Sequence, residues 1–228
     1  MNAVRWATAE AVAHDLPLRL VHAVNAPGPT DSDLDVVLSQ AENASRSESR
    51  SVHVDTVRVA GEPGAILLAE SHRAAMVCVG SRASQSGDPP VIGPVAELLA
   101  KEAACPVAII RTRLDGTPQT DGVISVVLSD EPGNDDMVHV AMHEGRIRHA
   151  TVRLIDRRAD SWVRRYPDVH VETVAAGTGH QYFRRDADAR VGLAVVSPHD
   201  GRTVASFPSP NCHPIIGFPE CSMLIVRS

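Results

Sequence analysis

One segment of this chain occurs twice, and that repetition constrains the fold more than any other feature. Val52-His53-Val54-Asp55-Thr56-Val57 returns as Val169-His170-Val171-Glu172-Thr173-Val174, 117 residues later, with five of the six pairs identical. At the same offset Met76-Val77-Cys78-Val79 lies over Leu193-Ala194-Val195-Val196, two short continuous apolar runs of the kind a buried parallel strand needs. Glu10 to Leu20 (EAVAHDLPLRL) matches Glu144 to Leu154 (EGRIRHATVRL) at an offset of 134, each a helix end running into a strand. Cys105 to Arg111 (CPVAIIR) matches Cys221 to Arg227 (CSMLIVR) at 116. The matches run in the same order, so the chain reads as two copies of one unit.

The offset falls from 134 to 117 between the second strand of each copy and the third, so the second copy is shorter by about 17 residues in its second helix. In the first copy that helix runs from Asp33 to about Arg50; in the second only a turn or two remains around Asp160 to Arg165. The polar segment Thr112 to Asp121, with Gly and Pro, reads as a linker. The expected division is residues 1–111, a linker 112–121, and residues 122–228. Strands near Leu18–Val24, Val52–Val59, Ala75–Val79 and Val107–Arg111 alternate with helical stretches, the βαβ pattern of right-handed parallel crossovers. The fold class is therefore α/β, two doubly wound parallel sheets in tandem. Aromatic residues at 3% leave Ala, Val, Leu and Ile to build the core, in keeping with a helix-covered sheet.

Charge and cysteine content exclude several functions. The net charge is −6, neither half is basic, and Lys101 is the one lysine among 22 basic residues, which argues against a nucleic-acid platform. No apolar run approaches the roughly 20 residues of a membrane span, and no signal-like segment opens the chain, so a cytoplasmic protein is expected. Cys78, Cys105, Cys212 and Cys221 show no CxxC spacing and are expected to be reduced.

Val4-Arg5-Trp6-Ala7-Thr8-Ala9-Glu10-Ala11, Pro17-Leu18-Arg19-Leu20-Val21-His22, Val77-Cys78-Val79-Gly80-Ser81-Arg82 and Ala104-Cys105-Pro106-Val107-Ala108-Ile109-Ile110-Arg111 together resemble the universal stress protein family in its tandem form. The resemblance implies Rossmann-like domains of strand order 3-2-1-4-5, a stress-response or regulatory role, and contact between copies through their last strands. Here those strands are Val107–Arg111 and Ser222–Arg227, meeting within one chain or in a homodimer. A regulatory protein partner is expected; nucleic acid and membrane are not.

The family's first strand, ending Val-Asp-Gly-Ser, has no counterpart before the first helix, and the reading frame is expected to start upstream of Met1. The second copy has that strand at Gly122–Leu128, and Asp130 falls where the family places an aspartate near adenine. ATP-binding members carry G-x2-G-x9-G-[ST] after the fourth strand. The pattern lands on Gly80, Ala83, Gly93 and Pro94, leaving Gly80, Ser81, Arg82 and Gly93 as candidate nucleotide contacts. Ala83 adds a Cβ, Pro94 removes a hydroxyl and an N–H, and Asp88 brings negative charge, so nucleotide binding is expected to be weakened or lost. The second copy reads Ser197-Pro198-His199-Asp200-Gly201 and Ser209-Pro210 at the same places.

The expectation is a non-enzymatic protein with no cofactor. The alternatives are an adenine-nucleotide (ATP) binding module in the first copy, with weak hydrolysis, and a metal module in the second. For the metal, His139 with His143, or His199, Cys212, His213 and Cys221, offer ligand types without a standard spacing. Ser81 beside Arg82, or Cys78 with His22 or His72, lack nucleophile-elbow spacing.

Overall fold

The computed structural model describes residues 1–24, 32–82, 92–112, 115–118, 120, 122–127, 134–155, 165–174, 191–199 and 221–227. The first part of the chain runs α1 (Asn2–Ala13), β1 (Leu18–Val24), α2 (Ser32–Glu48), β2 (Val54–Ala60), α3 (Pro63–Ser71), β3 (Val77–Arg82), α4 (Pro94–Glu102) and β4 (Val107–Thr112). The second runs β5 (Val123–Val127), α5 (Asn134–Arg148), β6 (Val152–Ile155), β7 (Val171–Val174), β8 (Val191–Val196) and β9 (Ser222–Ile225).

Seven strands form one sheet in the order β3-β4-β9-β8-β5-β6-β7, and β1 and β2 form a separate parallel pair. All neighbours in the large sheet are parallel except β4 and β9. The run β7-β6-β5-β8-β9 is a 3-2-1-4-5 arrangement, with β5 at its centre. In the first part of the chain the place equivalent to β5, between β1 and β3, holds no strand among the described residues. The two strands do not close up on each other.

The β4–β9 ladder aligns Val107 with Ile225, Ala108 with Leu224 and Ile109 with Met223. Ala108 and Leu224 are themselves 116 residues apart, the offset that separates Cys105 from Cys221. A two-fold relation between the two parts of the chain therefore passes through this pair, and the last strands meet edge to edge. Arg227 reinforces the join, its Nη2 donating to the Ala100 carbonyl at 2.5 Å and so satisfying an end carbonyl of α4.

Alternation along the strands divides the core between two faces. Val107, Ile109, Val196 and Ile225 pack with Ala96 and Leu99 of α4 on one side. Ala108, Ile110, Val195 and Leu224 pack with Trp6 of α1 and Met137, Val138 and Met142 of α5 on the other. Helices on both faces explain why these strands read as unbroken apolar runs.

The repeat also governs the helix ends. Asp15 and His149, 134 residues apart, both turn left-handed (φ 52° and 51°) just after α1 and α5. Leu16 N–H donates to the Ala11 carbonyl and Ala150 N–H to that of Gly145, at 2.9 and 3.0 Å, the closure of a Schellman turn in each case.

Several boundaries differ from the sequence reading. β2 begins at Val54 rather than Val52, and β3 extends through Gly80, Ser81 and Arg82 because the ladder continues to Arg82 opposite Thr112. Thr112 completes β4 and bridges Pro118, and the Asn2 side chain donates to Thr112 Oγ1 and the Gly116 carbonyl. Part of the segment read as a linker is thus fastened to α1. The short second helix expected around 160–165 lies, apart from residue 165, outside the described residues. No helix among the described residues is long and apolar enough to cross a membrane.

Candidate functional site

In an open parallel sheet the place for a ligand is the crevice beyond the carboxyl ends of the strands, where the chain reverses its winding direction. Gly80, Ser81 and Arg82 form the carboxyl end of β3 and pair with Ile110, Arg111 and Thr112 of β4. Ser81 is buried at 4% exposure, and its hydroxyl has no hydrogen-bond partner among the described residues. Gly93 is the N-cap of α4, extended at φ −65° and ψ 156°, with Pro94 as the first helical residue. The structure therefore places Gly80, Ser81 and Arg82 at a strand end and Gly93 at the helix start that follows; Ala83 and Asp88, between them, lie outside the described residues.

The backbone itself requires glycine at neither position. Neither Gly80 nor Gly93 has a positive φ, a Cβ on Gly80 would meet Ala3 Cβ at an ordinary 3.8 Å, and one on Gly93 would meet nothing within 4 Å. Space at Gly93 suits close approach of a ligand to the backbone. The helix start is a poor phosphate cradle nonetheless. Pro94 supplies no N–H, Gly93 supplies no capping side chain, and Glu97 puts a carboxylate in the first turn, held by Lys101 Nζ at 2.5 Å.

In the second part of the chain the crevice lies beyond β5 and β8. Ser197 and Pro198 follow β8 half-buried, and His199 is exposed. Asp130, Asp200, Ser209 and Pro210 lie outside the described residues.

The other candidates separate. The His139 ring meets the Tyr166 hydroxyl, whereas His143 packs against the ring of His14 with centroids 4.6 Å apart. No group of three or more His, Cys, Asp or Glu able to hold a metal occurs among the described residues. Cys221 is buried at the head of β9, and burial pushes its thiol up to about 12; Cys212 and His213 lie outside the described residues. Cys78 is half-buried in β3, its thiol pushed upward first by desolvation and then by the nearby Glu10 and Glu144, which makes it a poor nucleophile.

Those two glutamates belong to a polar group that motif reading passes over. Glu10 and Glu144 are 5% and 1% exposed, both contact Arg148, and Trp6 stacks on the same guanidinium at 4.7 Å. The one signal in the sequence is the 134-residue offset, which aligns Glu10 with Glu144 and His14 with Arg148.

Comparison with known proteins agrees with this fold. The universal stress protein family profile matches residues 1–111. The chain is 31% identical over 249 residues to Universal stress protein Rv2624c of Mycobacterium tuberculosis, covering all of this chain and 92% of that protein. It is 30% identical over 264 residues to Universal stress protein Rv3134c of the same organism, covering all of this chain and 91% of the relative. Among solved structures, a universal stress protein from Archaeoglobus fulgidus superposes with a TM-score of 0.62 at 13% identity, covering 99% of this chain and 91% of that one, which speaks for the fold. This chain belongs to the universal stress protein family.

Proposed function

We propose that this universal stress protein acts without turnover, in a stress-response or regulatory role exerted through a partner protein or through dimerisation, and that its nucleotide binding is weakened or lost. The division proposed is residues 1–111 and 122–228 with 112–121 between them, the whole working in the cytosol. The observation that carries this reading is the start of α4, where Gly93, Pro94 and Glu97 put an uncapped, proline-headed and acidic turn at the position the ATP-binding members use for phosphate. Each of the three works against an anion: one N–H is missing, no hydroxyl is offered, and a carboxylate stands in the first turn.

Thermal unfolding in a titration of Mg-ATP tests it. A ligand at one hundred times its dissociation constant stabilises the folded state by about 2.7 kcal/mol. The expected result is no saturable rise in melting temperature up to millimolar ATP. A saturable rise would overturn the proposal and favour the second reading, an adenine-nucleotide module using Gly80, Ser81, Arg82 and Gly93. The buried, unpartnered Ser81 hydroxyl and the open space over Gly93 are what support that alternative.

A further inference from the structure

The strongest unexplained feature lies on the face of the sheet shared by α1 and α5. Two buried carboxylates meet there across the two-fold relation between the parts of the chain, with one guanidinium between them. Arg148 Nη2 contacts Glu10 Oε1 at 2.5 Å and Nη1 pairs with Glu144, so a single guanidinium joins the two buried carboxyl groups. Glu10 Oε2 is buried with no hydrogen-bond partner among the described residues, and His14 Nε2 stands 3.6 Å from it.

Among the described residues the surrounding groups supply no second fixed cation. On α1, Trp6 offers its ring face to Arg148, and the His14 side chain is 39% exposed. On α5, burial and the neighbouring His14 hold His143 below the usual imidazole range, and Arg146 is engaged with Asp168. On β3, Cys78 stays a thiol. Two ionised carboxylates sharing one guanidinium would leave an uncompensated buried negative charge, which is costly. A proton on one carboxyl removes that charge.

We propose that Glu10 and Glu144 hold one proton between them, and that this shared proton latches α1 to α5, so that the contact between the two parts of the chain loosens as the proton leaves. Burial, reinforced by Glu10 and opposed by Arg148, pushes the Glu144 carboxyl up to about 8. The sign follows from linkage. A carboxyl raised in the folded state binds more protons there than in the unfolded chain, so its stabilisation is complete below about pH 4.5, declines as pH rises, and is gone above about 8. The latch is released by alkalinisation and closed by acid, independently of any nucleotide.

The test compares the wild-type chain with Glu144→Gln, whose amide keeps a donor beside Glu10 and cannot ionise. Denaturant unfolding is followed at a series of pH values between about 5 and 9, so that titrations elsewhere cancel in the comparison. Between about pH 5.5 and 7.5 the wild-type unfolding equilibrium constant should rise relative to that of the variant by about tenfold per pH unit, the slope of one proton. Parallel pH profiles would overturn the proposal. Should Glu144→Gln fail to fold, difference infrared spectra of the wild type between pH 6 and 9 decide the matter: loss of a protonated-carboxyl band in that interval supports the latch, and its absence refutes it. Glu10→Gln should move the step to lower pH, because Glu144 then has Arg148 to itself; an unmoved step would show that the proton is not shared.

Discussion

The two parts of the chain carry the same strand pattern and bury it to different depths. β5 is bonded on both sides, to β6 and β8, and all six residues of β8 are buried. Among the described residues β1 is bonded to β2 alone, and of its seven residues only Leu20 is buried. The Val-His-Val-Asp/Glu-Thr-Val repeat is present in both. A strand pattern thus fixes that a strand forms and which neighbour it takes, whereas depth of burial depends on whether a central strand exists to gather the others. Where one does, nine of the ten residues of β8 and β5 with described surroundings are buried, in strands flanked on both sides and covered by helices.

The most severe way to break this contrast is amide hydrogen exchange. Amides of β5 and β8 should exchange only through global unfolding, and those of β1 and β2 through a local opening cheaper by about 5 kcal/mol. Comparable protection in both regions would show that the β1–β2 pair is as firmly integrated as the large sheet, with or without a central strand among the described residues.

Much of this was legible in the sequence, for a physical reason. Parallel strands buried on both faces leave continuous apolar runs, and duplication leaves offsets, so β1, β4, β8 and β9 fall close to where those runs lie. The last strands, Val107–Arg111 and Ser222–Arg227, do pair, as the resemblance implied. Two things were not legible. Offsets state which residues are equivalent and not which equivalents touch, so Glu10 and Glu144 align without revealing that they share Arg148. Nor does a pattern show where a ladder stops, which is why Gly80, Ser81 and Arg82, beyond the expected strand end at Val79, are its last three residues.

A second prediction sharpens the comparison at one helix position. Gly145 and Ala11 are equivalent by the 134-residue offset, yet a Cβ on Gly145 would come 2.6 Å from Val152 Cγ2 and 3.1 Å from Val169 Cγ1. Here α5 sits so close to β6 that a methyl group has no room, whereas α1 carries one at 8% exposure. Gly145→Ala should cost about 2 kcal/mol, overpacking outweighing the gain of about 1 kcal/mol in helix propensity. Ala11→Gly should cost about 1 kcal/mol, from propensity alone. Urea midpoints measure both, and a neutral or stabilising Gly145→Ala would mean that α5 can ride further from the sheet.

The finest comparison is one ion pair met twice. Arg19 on β1 reaches Asp55 on β2 at 2.9 Å, and Arg153 on β6 reaches Glu172 on β7 at 3.0 Å; the offsets of 134 and 117 make these the same cross-strand pair. Their settings differ, since the Arg19 and Asp55 side chains are 47% and 52% exposed and those of Arg153 and Glu172 are 6% and 41%. Solvent screens the first pair, and Arg19 is further divided between Asp55 and Glu70, 3.5 Å away. Arg153 has lost most of its hydration and donates from both Nε and Nη2 to Glu172. Double-mutant cycles should therefore give about 0.5 kcal/mol for Arg19–Asp55 and about 1.5 kcal/mol for Arg153–Glu172. Raising the salt to 1 M, where the screening length falls to about 3 Å, should erase the first coupling and leave most of the second. Equal couplings, or equal sensitivity to salt, would show that burial of the arginine does not distinguish the two, and that depth in the sheet counts for less than the local geometry the repeat has kept.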